Sequence, residues 1–208
     1  MLDIITICDS SENSNTYIVG NEQEVFIIDP ANRISNIQTA IKNRKVLGVL
    51  LTHGHYDHFK TLNSFLNKYD TTLYLHKKCF DKLTNLMDSC AFFFSVKSLE
   101  AVKTDKVVYV KDNDIITLND FKIKVITTPG HTNCSVVYEI EDSMFTGDTL
   151  FNNGVGRTDL PTSNTIQLIE SLKKILNNNN QKEIYPGHGF SSTLEDERHI
   201  NDFYRRTR

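Results

Sequence analysis

Four apolar runs in this chain lead into a glycine that touches a histidine or an aspartate, and that repeat limits the folds open to it. Val46-Leu47-Gly48-Val49-Leu50-Leu51 leads into Thr52-His53-Gly54-His55-Tyr56-Asp57-His58. The others are Val125-Ile126-Thr127-Thr128-Pro129-Gly130-His131, Met144-Phe145-Thr146-Gly147-Asp148 and Ile184-Tyr185-Pro186-Gly187-His188. Glycine admits the positive φ values and close backbone approach of a sharp strand-to-loop turn. The repeat therefore predicts several strands that deliver their polar residues to one edge of a sheet. Five histidines and two aspartates are enough for two neighbouring metal sites.

Composition narrows the alternatives. A length of 208 residues suits one domain, residues 1–208, with room for a large core. The 23 basic and 26 acidic residues give a net charge of −3, which offers no electrostatic footprint for nucleic acid or a membrane surface. No stretch approaches the ~20 apolar residues of a membrane span. Met1-Leu2-Asp3-Ile4-Ile5 lacks the basic-then-apolar pattern of a signal peptide. Cys8, Cys79, Cys90 and Cys134 lack paired spacing, which predicts reduced thiols and a cytoplasmic location.

Strand and helix patterns interleave along the chain, giving an α/β or α+β fold of sheets covered by helices. Residues 3–8, 16–20, 25–29 and 72–75 read as strands. Residues 107–110, 115–118, 121–127, 135–140 and 143–146 read as a meander, with a further strand at 183–185. Ile34, Ile37 and Ile41 mark one helical stripe, and Leu62, Phe65, Leu66 and Tyr69 another. A helix is expected from about 78 to 88, and a third stripe runs through Leu168, Ile169, Leu172, Ile175 and Leu176. Asn177 to Asn180 reads as a helix stop and surface loop, and Ser192 with Glu195 as a capping box opening the last helix.

His53 and His55, two apart beyond a strand, can turn both imidazoles to one side, while Asp57 and His58 face another point. Imidazole nitrogen and carboxylate oxygen suit Zn²⁺ and also accept Fe or Mn. With seven histidines in the chain, three within six positions is a cluster that a polar surface loop does not explain. His131, Asp148 and His188 would singly pass for turn or cap residues. Their shared strand-glycine setting makes them candidate ligands too. His76 and His199 lack that setting and read as structural.

In that order, His53-x-His55-x-Asp57-His58, His131, Asp148 and His188 resemble the metallo-β-lactamase superfamily over nearly the whole chain. The resemblance implies a four-layer αββα sandwich. It also implies one metal on His53, His55 and His131, a second on Asp57, His58 and His188, and Asp148 bridging them. Asp57 and Asp148 would thus serve catalysis as well as metal binding. Asp29, which ends Val25-Phe26-Ile27-Ile28, matches the family's early aspartate and would support the metal loop from behind. Alternatively it is a turn former before Pro30.

The segments Phe145-Thr146-Gly147-Asp148-Thr149-Leu150-Phe151, Gly154-Val155-Gly156-Arg157 and Tyr185-Pro186-Gly187-His188-Gly189 look like those of short glyoxalase II-like proteins. Two departures stand out. Cys134 replaces a glycine usual after the His131 position. Only 20 residues follow His188, too few for the helical domain by which full-length glyoxalase II enzymes hold glutathione. Arg157 could grip a substrate carboxylate or pair with Asp159 and pin its loop; the second reading is favoured. Of Phe92, Phe93 and Phe94, at least one could wall a cleft and the rest pack in the core. Cys134 reads as a small buried hydrophobe rather than a ligand.

The expected function is a dinuclear metal hydrolase of thioesters such as hydroxyacylglutathione, with two divalent ions about 3.5–4 Å apart and a bridging hydroxide attacking the carbonyl. An alternative is a mononuclear iron persulfide dioxygenase using His53, His131 and Asp148, motivated by the shared Gly156-Arg157-Thr158-Asp159. A third is a non-catalytic relative that binds metal only structurally. The missing export signal argues against β-lactam hydrolysis, and the charge balance argues against a nuclease.

Overall fold

The computed structural model describes residues 2–9, 14–177 and 181–207. Its first sheet runs β1 (Asp3–Ile7), β2 (Thr16–Gly20), β3 (Glu24–Ile28), β4 (Lys45–Leu50), β5 (Leu73–His76), β6 (Val107–Val110), in that spatial order. The second comprises β7 (Ile115–Leu118), β8 (Phe121–Thr127), β9 (Val136–Ile140), β10 (Ser143–Gly147), β11 (Glu183–Pro186) and β12 (Ser192–Thr193), and its spatial order is 12-11-10-9-8-7. Helices α1 (Ile34–Ile41), α2 (Tyr56–Phe59), α3 (Leu62–Lys68) and α4 (Lys77–Lys82) fall between strands of the first sheet. Helices α5 (Thr165–Leu176), α6 (Leu194–Ile200) and α7 (Asp202–Arg206) belong to the second half.

Alternation along the strands explains the layering, because successive side chains point to opposite faces. Tyr17, Val19, Phe26, Ile28 and Leu50 of the first sheet meet Ile123, Val125, Val136, Tyr138 and Phe145 of the second in a central core. The intervening Ile18, Val25, Ile27 and Val49 face outward onto Ile37 and Ile41 of α1 and Phe65 and Leu66 of α3. On the opposite outer face, Val137, Met144 and Ile184 pack against Leu168, Leu172, Ile175 and Leu176 of α5. The result is helix, sheet, sheet, helix, the expected αββα sandwich. A fully buried Phe or Leu contributes about 1.5–3 kcal/mol relative to an exposed one, so all three clusters matter to stability.

Several local expectations shift. β6 is not part of the meander: it pairs in parallel with β5 in the first sheet, and the antiparallel run begins only at β7. Turn residue Asn113, with φ of 65°, lies where the chain changes sheets. The helix expected to about 88 ends at Lys82, because the Asn85 side chain accepts from the amides of Met87 and Asp88 at 3.0 and 3.1 Å and closes a turn instead. The last capping pair sits one residue later than Ser192 and Glu195. Thr193 Oγ1 accepts from the Asp196 amide at 3.0 Å, while Ser192 is held in β12 opposite Ile184. Asn177 caps α5, and Asn178 to Asn180 lie outside the described residues. Among the described residues, no helix is long and apolar enough to cross a membrane.

Candidate metal centre

The polar residues after the strands converge where ends of both sheets meet, rather than at the edge of one. His53 and His55 follow β4 in the first sheet, Asp57 and His58 start α2, and His131, Asp148 and His188 follow β8, β10 and β11 in the second. Two cross-sheet hydrogen bonds fix that meeting. Tyr138 donates its hydroxyl to Leu51 O at 2.9 Å, and the Val136 amide donates to Thr52 O at 2.9 Å.

Three overlapping groups of ligand atoms result, each within 4.8 Å: His53, His55 and His131; His53, His58 and Asp148; and Asp57, His58 and His188. Asp148 stands among them. Its Oδ1 is 3.2 Å from His58 Nε2, and its Oδ2 is 3.4 Å from His131 Nε2 and 3.7 Å from His188 Nε2. His188 Nε2 lies 3.1 Å from Asp57 Oδ2.

The donor set fits divalent cations. Among the described residues, His53 Nε2, His55 Nε2, His58 Nε2 and Asp148 Oδ1 are buried side-chain atoms with no hydrogen-bond partner, an arrangement that costs free energy and that coordination of a cation would relieve. His131 Nε2 and His55 Nδ1 approach to 2.9 Å. His131 already has Nδ1 against Arg157 O at 2.9 Å, which places that proton on Nδ1 and leaves Nε2 as a lone-pair donor.

Gly147 and Gly187 illustrate why glycine is needed around the site. Gly147 has φ of 48°, and a Cβ there would fall 2.5 Å from Thr52 Oγ1. Gly187 has no positive φ; its need is clearance, since a Cβ would fall 2.1 Å from Asp148 Oδ1 and 2.6 Å from His58 Cε1. Cys134, in place of the family's glycine, is not among the residues with positive φ, so the turn after His131 forms without one. It is buried, as expected of a small hydrophobe.

Electrostatics divides the histidines. Burial, reinforced by neighbouring His58 and His55, holds His53 well below the ordinary imidazole value. Burial, with His131 close by, lowers His55 to about 3. Burial also opposes charge on His58, yet Asp148, Asp57 and Asp29 outweigh it and raise His58 well above the ordinary value. His188 is raised despite burial by its hydrogen bond to Asp57. Both carboxylates stay ionised: burial pushes each up, but His58, His131 and His188 hold Asp148 well below the usual range, and His58 and His188 lower Asp57.

Asp29 lies behind the cluster, at φ of 50°. Oδ1 accepts from the Thr52 amide at 2.8 Å, and Oδ2 accepts from Thr52 Oγ1 at 2.6 Å and faces His58 Nδ1 at 2.8 Å. A turn former alone would not make these contacts. Sequence reasoning missed Thr52 in this role, and it missed Asn15. The Asn15 amide donates to Gly187 O at 2.7 Å, and its side chain donates to Pro186 O and Gly189 O at 3.0 Å each. No pattern around Asn15 marks it.

A cleft of about 490 Å³ opens over His55, Asp57, His131, Asp148 and His188. Phe93, Phe94, Phe151, Val155 and Leu160 form its apolar lining. Phe92, Phe93 and Phe94 lie on a 3-10 turn, Ala91–Phe94, and all three are exposed rather than part of the core, because a tight turn at the surface leaves them no apolar layer to enter. Arg157 also borders the cleft, and its Nε and Nη2 donate to Asp159 Oδ1 and Oδ2, each at 2.7 Å. His76 caps α4 by accepting from the Lys78 amide, and exposed His199 lies in α6; neither belongs to the three ligand groups.

A model of the metallo-beta-lactamase superfamily matches residues 11–188. A probable metallo-hydrolase of Streptococcus pyogenes serotype M6 is 32% identical over 197 residues, covering 91% of this chain and 85% of that protein. The hydroxyacylglutathione hydrolase GloC of Haemophilus influenzae is 29% identical over 209 residues and 97% of each chain. Among solved structures, the B3 metallo-beta-lactamase BLEG-1 aligns with a TM-score of 0.87 at 28% identity, over 98% of this chain and 99% of that one. TTHA1623, in a di-iron-bound form, aligns with a TM-score of 0.83 at 25% identity, over 97% and 99%.

Proposed function

Because the chain belongs to the metallo-β-lactamase superfamily, we propose that it is a dinuclear metal-dependent hydrolase of hydroxyacyl thioesters, the class to which hydroxyacylglutathione belongs. The observation that carries this reading is the unbroken chain of three ligand groups sharing His53 and His58, with Asp148 between them, beneath one open cleft. His53, His55 and His131 would hold one ion, Asp57, His58 and His188 the other, and Asp148 both. Divalent ions there would lower the pKa of water to about 7 and polarise a carbonyl. Zn²⁺ suits the donors, and the di-iron relative supports Fe as a second choice.

The chain's own contribution is positioning and charge. Asp57 and Asp148 would be the two carboxylates that touch the reacting atoms, and their neighbouring histidines keep them ionised. Asp29 fixes the His58 ring and Arg157 O fixes that of His131. A covalent thiol route is disfavoured: Cys90 borders the cleft, but burial and the nearby Asp57 charge push its thiol up to about 11, leaving it protonated at neutral pH. The GloC relative supports a hydroxyacyl thioester as substrate.

The test is anaerobic release of thiol from a hydroxyacyl thioester by metal-loaded protein, run beside oxygen uptake on glutathione persulfide and hydrolysis of a β-lactam. Thiol release without oxygen consumption, at close to two metals per chain, is expected. Oxygen uptake with one iron per chain and no thiol release would overturn the reading in favour of a dioxygenase. Lactam hydrolysis without thiol release would reassign the acyl substrate.

A further inference from the structure

The cleft carries a chemical preference of its own. Its apolar lining comes from two separate segments: Phe93 and Phe94 on the 3-10 turn, and Phe151, Val155 and Leu160 on the stretch after Asp148. Phe93 is 60% exposed, so much of its surface is free to be covered by a bound molecule. Apolar walls with a few convergent polar groups are the usual build of a small-molecule site.

Against this stands the supply of cations. Among the described residues bordering the cleft, Arg157 is the one arginine or lysine, and its Nε–Nη2 edge is taken by Asp159. That carboxylate is two residues away on the same loop. It competes with any incoming carboxylate at the high effective concentration of a tethered group. A substrate carboxylate therefore meets, in that lining, no guanidinium or ammonium whose charge is not already paired. A thiol part bearing two carboxylates, as in glutathione, would be desolvated against phenyl rings without a compensating partner.

Building on the thioesterase reading, we infer that the cleft selects thioesters whose thiol part is uncharged and apolar over the corresponding glutathione conjugates. Phe93, Phe94 and Phe151 would cover that part, and the Arg157–Asp159 pair would act as the filter against anionic ones.

The experiment uses the full chain loaded with metal and two substrates sharing one hydroxyacyl group, the thioesters of 2-phenylethanethiol and of glutathione. Calorimetric titration with the two matching non-hydrolysable thioethers runs alongside. Wild-type protein should favour the phenylethyl arm in kcat/KM and in binding by about tenfold, the scale set by covering part of one aromatic ring. Phe93→Ser should cut that arm about tenfold and lower the glutathione arm by a smaller factor. Asp159→Ala, which frees Arg157, should raise the glutathione arm alone. Equal or stronger binding of the glutathione thioether by wild type would overturn the preference, as would Asp159→Ala leaving both arms unchanged. If the binding preference holds but neither thioester is cleaved, the thioesterase reading fails while the cleft's preference stands.

Discussion

Asp29 Oδ2 faces His58 Nδ1 at 2.8 Å, and the opposite nitrogen of the same ring, Nε2, faces Asp148 Oδ1 at 3.2 Å. One imidazole thus connects a carboxylate behind the cluster with the carboxylate at its centre. Carboxylates in the outer position fix the ring's tautomer and orientation, and losing one typically costs 10–100-fold in metal affinity. Asp29→Asn replaces one acceptor oxygen with an amide that cannot accept from both Thr52 and His58. Metal affinity at the Asp57, His58, His188 group should fall about 10–100-fold, with the far-ultraviolet circular dichroism unchanged. Chelator competition measures it, and wild-type affinity in the variant would refute the role.

Asp148→Ala should abolish activity and weaken both metal positions, because one carboxylate touches histidines of both. His188→Ala should empty mainly the second position. Elemental analysis after dialysis separates the two outcomes. Two metals per chain and normal turnover in Asp148→Ala would show the ligand assignment to be wrong.

Gly187→Ala places a methyl group 2.1 Å from Asp148 Oδ1 and 2.6 Å from His58 Cε1. The β11 loop must move, at an overpacking cost of about 1–3 kcal/mol. Since the displaced loop carries His188, loss of the second metal should exceed what the stability change alone implies. Thermal denaturation with and without metal tests this. Equal metal-induced stabilisation in variant and wild type would count against it.

The two metal positions should differ in their pH response. In the metal-free protein, burial keeps His53 and His55 neutral, whereas acidic neighbours raise His58 and His188. A raised imidazole holds its proton to higher pH, so an ion entering the second position must displace it. Affinity there should decline first as pH falls, with proton release on loading; the His53, His55, His131 position should persist to lower pH. Metal counts along a pH series, with proton release measured by calorimetry in two buffers, decide it. Simultaneous loss of both metals without proton release would contradict the division.

The candidate donors His53, His55, Asp57, His58, His131, Asp148 and His188, which the fold brings together, were legible because donor chemistry belongs to the side chain and spacing is visible in the chain. Strand positions were legible for a similar reason: alternation at Tyr17, Ile18 and Val19 reports two buried faces. Which sheet a strand joins was not. β6 reads as a short apolar strand as β7 does, and its hydrogen-bonded neighbour decides its sheet. At the last helix, Ser192 with Glu195 and Thr193 with Asp196 make overlapping capping patterns, and pairing of Ser192 with Ile184 decided between them.

The sequence by itself determined the inventory of candidate metal ligands, its order and the layered class of fold, since each depends on residue type and local period. Tertiary structure decided what each side chain is free to do. Arg157 could equally have gripped a substrate until the loop's path placed Asp159 at 2.7 Å from two of its nitrogens. Asn15 gained its place only because β2 brings it to the carbonyls around Gly187. Phe93 walls a cleft rather than a core because its turn lies at the surface beside the strand ends. Such roles follow from through-space distances between segments far apart in the chain, which local spacing does not carry.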